Sequence, residues 1–356
     1  MKFCYFGNFN PSYSRNSVNI NGLRQNNCQV ILCQTRKRGI WKYIDLFLKH
    51  YKIKHQYDFL IVGFSGFSLL WLAKLLSKKP LIFDAFVSQY LSNIEDRRQH
   101  KPNSLKARYY KFLDKFACQL ADIIFIDTKA QTKYFIENYN LNPSKFFRIQ
   151  VGSDDNIFNP NLKPKTSKLQ SKFIVHWHGY MVPFHGFDII IKAASIIAVK
   201  DADIKFQLIT EINKNCTQSN KDKLKKLNNI DIIGKVDYPV LAAKINRAHI
   251  CLGIFSNSTK AKLVIPNKII EAAACRKPAI TANHQVVNEI FTDNKNIVLC
   301  SPENPTDLAD KIIELKNNNK LRKKIATNAH QLYVDKLSPK KIGEQITKTI
   351  NLYINN

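Results

Sequence analysis

Short apolar runs alternate with stretches whose apolar residues recur every three to four positions, and the alternation persists along almost the whole chain. Residues 2–9 read as an aromatic-rich strand, 17–26 as a helix and 29–35 as a strand. A helix over 40–51 carries Trp41, Ile44, Phe47 and Leu48 as a stripe. A strand at 58–63, a helix at 68–77 and a strand at 80–86 follow. After a polar, basic interval come a long helix at 104–120, a strand at 121–127, a helix at 129–139 and a strand at 145–151. The polar stretch 159–171, with Pro160, Pro164 and three lysines, reads as a linker.

Beyond it the pattern restarts. Strands are expected at 173–178, 205–210, 230–234, 250–255, 279–282 and 297–300. Helices are expected at 186–199, 222–227, 239–248 and 266–276, with a long charged helical region at 306–334. The tail 340–351 is one more amphipathic helix, with Ile342, Ile346 and Ile350 at four-residue spacing. Apolar strands joined by single helices form right-handed βαβ units, which predicts α/β architecture: two Rossmann-like doubly wound domains facing a cleft. Ligands of such sheets bind beyond the carboxyl ends of the strands.

Length agrees, since 356 residues exceed what one core of ordinary size holds. The eight cysteines lack any C-x-x-C spacing and mostly sit in apolar runs, which predicts buried thiols in a reducing compartment. The first residues enter a strand pattern directly, so no signal peptide is expected and the protein reads as cytoplasmic. The longest apolar stretch, 59–76, is broken by Gly63, Ser65, Gly66, Ser68 and Lys74, which fits a strand, a turn and a helix better than a membrane span. A net charge of +28 favours anionic partners: nucleic acid, an anionic membrane surface or phosphorylated substrates. The helix at 104–120 sets Leu105, Tyr109, Phe112, Phe116 and Leu120 on one face, with Lys106, Arg108, Lys111 and Lys115 beside them. That is either an interfacial surface for anionic lipid or a core-packed helix with a solvated basic side.

Four constellations carry candidate chemistry. In PNKIIEAAA, Pro266, Asn267 and Lys268 open a helix whose unpaired first-turn amides suit a phosphate, and Glu271 further in could accept two ribose hydroxyls. An ordinary amphipathic helix with Ile269, Ile270, Ala273 and Ala274 on a sheet explains the same pattern. The loop GNFNPSYSRN leaves the first strand at Gly7 and reaches a helix start with Arg15, which could meet an anion. It is not G-x-G-x-x-G, which counts against a dinucleotide cofactor. HWHGYMVPFHG brackets a strand-to-helix loop with Gly179 and Gly186. His176, His178 and His185 raise a zinc site, but nothing supplies a fourth ligand at a usual spacing, and a phosphate contact from His185 fits better. Asp84 ends a buried strand, where it could contact an acceptor or the reacting sugar, or cap a helix. Asp127-Thr128 before a helix reads as a cap.

In their order, Phe83-Asp84-Ala85-Phe86, Ile126-Asp127-Thr128, Val151-Gly152-Ser153-Asp154, Phe158-Asn159-Pro160, Gly179 to Gly186 and Pro266-Asn267-Lys268 running into Glu271-Ala272-Ala273-Ala274 resemble the family-4 glycosyltransferases. These are retaining enzymes of the two-Rossmann GT-B fold that take a nucleotide-sugar donor. The resemblance implies an acceptor domain at 1–163, a donor domain at 164–338 and a C-terminal helix at 339–356 packing back on the first. It implies donor contacts from Gly179, Gly186, Pro266, Asn267, Lys268 and Glu271, with Asp84 and His185 at the reacting centre. The acceptor is expected to be a glycan or lipid-linked molecule of surface polysaccharide or glycoconjugate synthesis. No metal or cofactor is expected.

Three positions depart from the family. Leu263 stands where its first glutamate would be, and Tyr180 and His185 replace the arginine and lysine that meet the diphosphate. Neutralisation would then shift to Lys260, Lys262, Lys268 and Arg15, or the chain would be an inactive relative. A sugar-nucleotide epimerase or phosphorylase of the same architecture is the alternative within the fold. A nucleic-acid-binding protein is the alternative outside it. The basic residues are spread over both domains without a recognition motif, so nucleic acid is not the expected partner.

Overall fold

The computed structural model describes residues 1–161, 172–212 and 216–355. The expected linker at 159–171, and with it the expected boundary at 163/164, lies mostly outside the described residues. The chain forms two compact units, Met1–Asp154 with Leu337–Asn356, and Asp155–Lys336.

The first unit runs β1 (Lys2–Gly7), α1 (Ser14–Gln25), β2 (Gln29–Gln34), α2 (Trp41–Ile53), β3 (Phe59–Val62), α3 (Leu70–Leu76), β4 (Leu81–Phe86), α4 (Leu105–Leu120), β5 (Ile123–Ile126), α5 (Lys129–Tyr139) and β6 (Phe146–Arg148). Its six strands pair in parallel in the order β2-β1-β3-β4-β5-β6. The order reverses at β1, so right-handed crossovers put α1 on one face and α2 to α5 on the other. Strands buried on both faces need apolar residues at consecutive positions, and β3 and β5 (FLIV and IIFI) are of that kind. As expected, Thr128 caps α5, its hydroxyl accepting from the Gln131 amide at 3.0 Å.

The second unit runs β7 (Phe173–His178), α6 (Phe187–Lys200), β8 (Ile204–Ile209), α7 (Gln218–Lys226), β9 (Ile230–Ile233), α8 (Tyr238–Arg247), β10 (Ile250–Leu252), α9 (Asn267–Ala274), β11 (Ala279–Ala282), β12 (Val298–Cys300), α10 (Pro305–Asn317) and α11 (Asn319–Leu332). Its six strands are again parallel, in the order β12-β11-β10-β7-β8-β9, with the reversal at β7. The long charged helical region expected at 306–334 is divided into the helices α10 and α11. Asn318 leaves helical geometry between them, and its side-chain oxygen caps α11 at the Leu321 amide, 2.9 Å away.

The last helix, α12 (Pro339–Asn355), returns to the first unit as expected. Ile342, Ile346 and Ile350 join Val18, Ile20 and Leu23 of α1 in one apolar cluster. The two helices cross at Gly22 and Gly343, where a Cβ on either would collide with the other's backbone. All eight cysteines are free and buried.

Candidate active site

In the second unit, the loop after β10 leads into α9, and the loop after β7 leads into α6. Both leave carboxyl ends of neighbouring strands in the sheet. Pro266 sits at the N-cap of α9 with φ −72° and ψ 135°, one position before the expected first turn, and no side chain caps the helix. The Ile269 amide donates to the Pro266 carbonyl at 3.2 Å, which leaves the Asn267 and Lys268 amides without a side-chain cap at the positive end of the helix. Asn267 is half-buried there, whereas Lys268 and Glu271 are buried, at 6% and 4% exposure.

Each of these two charged side chains is held by a histidine, one at the end of β7 and one in the loop that follows it. Lys268 Nζ lies 3.2 Å from His185 Nε2, and His185 Nδ1 lies 2.6 Å from the carbonyl oxygen of Tyr180. Burial and then the neighbouring Lys268 keep His185 well below the usual histidine range, so its ring is neutral. Nδ1–H therefore donates to the Tyr180 carbonyl, and Nε2 accepts from the lysine. The same burial brings Lys268 down to about 7, while Glu271 pulls in the opposite direction. The ammonium also lies 5.3 Å from the centre of the Trp177 ring, whose indole donates to the Gly253 carbonyl at 3.0 Å.

Glu271 accepts from His178, with Oε2 2.7 Å from Nε2. His178 Nδ1 is 3.1 Å from His176 Nε2, and His176 Nδ1 is 3.2 Å from the side-chain amide of Gln207 on β8. His176 is held neutral by burial and by His178. His176 Nδ1–H donates to Gln207 Oε1, and His178 bridges His176 and the Glu271 carboxylate. The two histidines alternate on one face of β7, opposite Gln207 in register with His176. Sequence reasoning grouped them as metal candidates and missed their role as a strut behind Glu271. The H-x-H alternation at the carboxyl end of a strand was the available signal.

Gly179 has φ +140°, and a Cβ there would lie 3.2 Å from His185 Cε1 and 3.4 Å from Lys268 Nζ, so a side chain would crowd both groups. Gly186 starts α6 in the left-handed region, φ +65°, with a hypothetical Cβ only 2.6 Å from the Ser256 amide. Lys260 is buried with its ammonium 4.5 Å from the centre of the Phe184 ring, next to His185. Lys262 is exposed on the same turn. Tyr180 turns its ring to solvent and contributes its backbone carbonyl, and half-buried Leu263 offers no carboxylate. The structure thus brings Gly179, His185, Gly186, Lys260, Pro266, Asn267, Lys268 and Glu271 into one neighbourhood.

Arg15 and Asp84, expected to meet an anion and the acceptor or reacting sugar, lie against each other. Arg15 is 1% and Asp84 0% exposed, and they form an ion pair inside the first unit, NH2 to Oδ1 at 2.8 Å. Arg15 Nε also faces both carboxylate oxygens at 3.1 Å, and its NH1 donates to the carbonyls of Ile149 and Gln150 at 3.0 Å. Asn19 takes up Asp84 Oδ2 at 3.0 Å. With its donors engaged in this way, the arginine ties α1 to β4 and to the residues after β6, and the carboxylate neutralises it. Gly7, with φ +143°, closes β1 in the same unit against Phe9 and Leu69.

Residues 158–332 match the family of glycosyl transferases group 1. An uncharacterized glycosyltransferase of Methanocaldococcus jannaschii, MJ1178, is 31% identical over 160 residues, which are 43% of this chain and 41% of that protein. The chain thus spans less than half the length of this relative. A second uncharacterized glycosyltransferase of that organism, MJ1069, is 23% identical over 88% of this chain and 79% of its own length. Among solved structures, Anabaena HepE in complex with UDP-glucose superposes with a TM-score of 0.71 over 99% of both chains at 17% identity. At that identity the likeness identifies the fold alone. The chain therefore has the two-sheet GT-B fold, and its residues 158–332 resemble the group 1 glycosyl transferases.

Proposed function

We propose that the protein is a retaining glycosyltransferase that moves a hexosyl group from a nucleotide-sugar donor to a glycan or lipid-linked acceptor. In this reading it works at the cytoplasmic side of surface polysaccharide or glycoconjugate synthesis. One observation carries it: at the start of α9 a buried ammonium, Lys268, and a buried carboxylate, Glu271, stand one turn apart, the first braced by His185 of the glycine-bracketed loop and the second by His178 at the end of β7. Glu271 takes two ribose hydroxyls, and Lys268 with the open amides of α9 faces the diphosphate. Lys268 and nearby Lys260 make good the cation lost where the family's lysine is His185. In the reaction the bond from the anomeric carbon to the phosphate oxygen breaks and one to the acceptor oxygen forms on the same face. The acceptor's proton passes to the departing phosphate. Negative charge growing on that phosphate is what fixed donors in a buried site stabilise best.

The test is a thermal-shift screen of nucleotide-sugars, beginning with UDP-glucose because the HepE structure holds it. Stabilisation by one donor, followed by transfer giving an α-linked product from an α-linked donor, is the expected result. An inverted product would sink the mechanism. Epimerised sugar without any acceptor would favour the epimerase reading.

A further inference from the structure

The helices on one face of the first sheet turn large apolar side chains both inward and outward. On α2, Leu46 and His50 are buried and Tyr43 and Ile53 half-buried. The stripe legible in the sequence lies on another side: Trp41, Ile44, Phe47, Leu48 and Tyr51 are all exposed, Trp41 to 63% and Leu48 to 57%. The neighbouring helix continues the surface, with Tyr43 against Trp71 of α3 at 5.4 Å between ring centres, and with Leu75 of α3 exposed to 75%. Helix α4, packed against α3, adds Leu105 at 82%, Tyr109 and Phe112. An outward apolar layer over three helices has no counterpart among scattered surface residues and marks an interaction site.

Charge decides what covers it. Helix α2 carries Lys42, Lys49 and Lys52 with a single carboxylate, Asp45, which is paired with Lys49 at 2.8 Å. Helix α4 carries Lys106, Arg108, Lys111 and Lys115, and its one acid, Asp114, is 0% exposed. Lysine ammoniums lie over the rings of Tyr43, Tyr51 and Tyr109. Apolar and aromatic tips ringed by cations, on a protein of net charge +28, match a layer of anionic headgroups above acyl chains. Among the described residues no helix is long and apolar enough to cross a membrane, so the contact is peripheral.

We propose that the outer face of α2, α3 and α4 docks on a bilayer containing anionic lipid, with Trp41, Phe47, Leu48 and Phe112 entering the interface. Two of the three tryptophans, Trp41 and Trp71, lie on this face, while Trp177 is fully buried in the second unit and gives a constant background. The experiment mixes the full chain with phosphatidylcholine vesicles and with mixed phosphatidylcholine–phosphatidylglycerol vesicles. Co-sedimentation and quenching of tryptophan emission by brominated phosphatidylcholine are read at low and at raised salt.

Binding to the mixed vesicles with quenching, weakened by salt, is expected. Trp41→Ser combined with Phe47→Ser and Leu48→Ser should reduce partitioning by about tenfold or more. Lys52→Ala and Lys106→Ala should each reduce it about fivefold. Leu105→Ser with Phe112→Ser on α4 repeats the test at an independent site, and thermal melts matched to the parent establish that the variants fold. Unchanged partitioning of both apolar variants, or binding without quenching, would overturn the proposal. So would a dimer in vesicle-free solution that the same substitutions dissolve, because the face would then be a contact between copies. Donor binding in the second unit is a separate readout and stays unchanged in every arm.

Discussion

At the scale of single residues, the candidate site depends on two buried charged groups kept in place by histidines. Glu271→Ala should weaken nucleotide-sugar binding by about a hundredfold or more, since it removes two hydrogen bonds to a charged group at about 1.5–3 kcal/mol each. Calorimetric titration measures this, and unchanged affinity with an unchanged melting temperature would remove the ribose assignment. Lys268 sets a pH dependence of known sign. Its folded value, about 7, lies below the ordinary 10.5, so across that window the unfolded chain holds more protons and the lysine's cost to folding is relieved as pH rises. A bound diphosphate favours the ammonium, so binding above pH ~7 must take up a proton, and affinity should fall by up to about tenfold per pH unit. Titrations in two buffers of different ionisation heat would show that uptake, and Lys268→Met should abolish it along with most of the affinity. Proton uptake persisting in Lys268→Met would assign it to another group.

At the scale of elements, the first unit is completed by α12, and the crossing of α12 with α1 is where it tolerates least. Gly343 approaches the backbone of Gly22, and Asn26 Nδ2 donates to the carbonyls of Gly22 at 2.7 Å and Lys340 at 2.8 Å across the same junction. Gly343→Leu must push the helices apart, at a cost of about 3 kcal/mol or more. A denaturant titration should show this, and a loss under about 1 kcal/mol would mean the crossing yields easily. Helix α4 is anchored differently. Asp114 accepts from the Ser88 hydroxyl at 2.6 Å, the amides of Gln89 and Tyr90 at 2.9 and 3.0 Å, and the Tyr139 hydroxyl at 2.9 Å. Burial raises its carboxyl to about 6 against these hydrogen bonds. That internal anchor frees the rest of α4 to turn leucine, tyrosine and phenylalanine to the outside.

At the scale of the whole molecule, the two units each have their own sheet and core, and the proposed donor site lies within the second. A donor at a hundred times its dissociation constant should stabilise the unit that binds it by about 2.7 kcal/mol. Trp177 reports on that unit alone, so the donor should shift the unfolding transition seen in buried-tryptophan emission. If a donor that binds by calorimetry leaves the Trp177 transition where it was, the site is not where α9 and β7 place it.

Chain order, strand and helix alternation, and the doubled α/β architecture were legible in the amino-acid sequence, because apolar period and turn residues are local properties. So were Thr128 as a cap and the group formed by Gly179, Gly186, Lys268 and Glu271, since each sits at the end of a strand or the start of a helix. Partnership between distant residues was not legible. Arg15 and Asp84 are 69 positions apart and read as separate ligand groups; only the folded sheet brings them together into a buried pair. His178 and Glu271, 93 positions apart, meet for the same reason. Nor does period alone say which way a stripe faces: the apolar residues of α2 recur as those of a core helix do, yet packing buries Leu46 and His50 and leaves Trp41, Phe47 and Leu48 outside. Local chemistry determines which elements form, and the packing of elements distant in the chain decides which side chains are used up inside and which remain for a ligand or a surface.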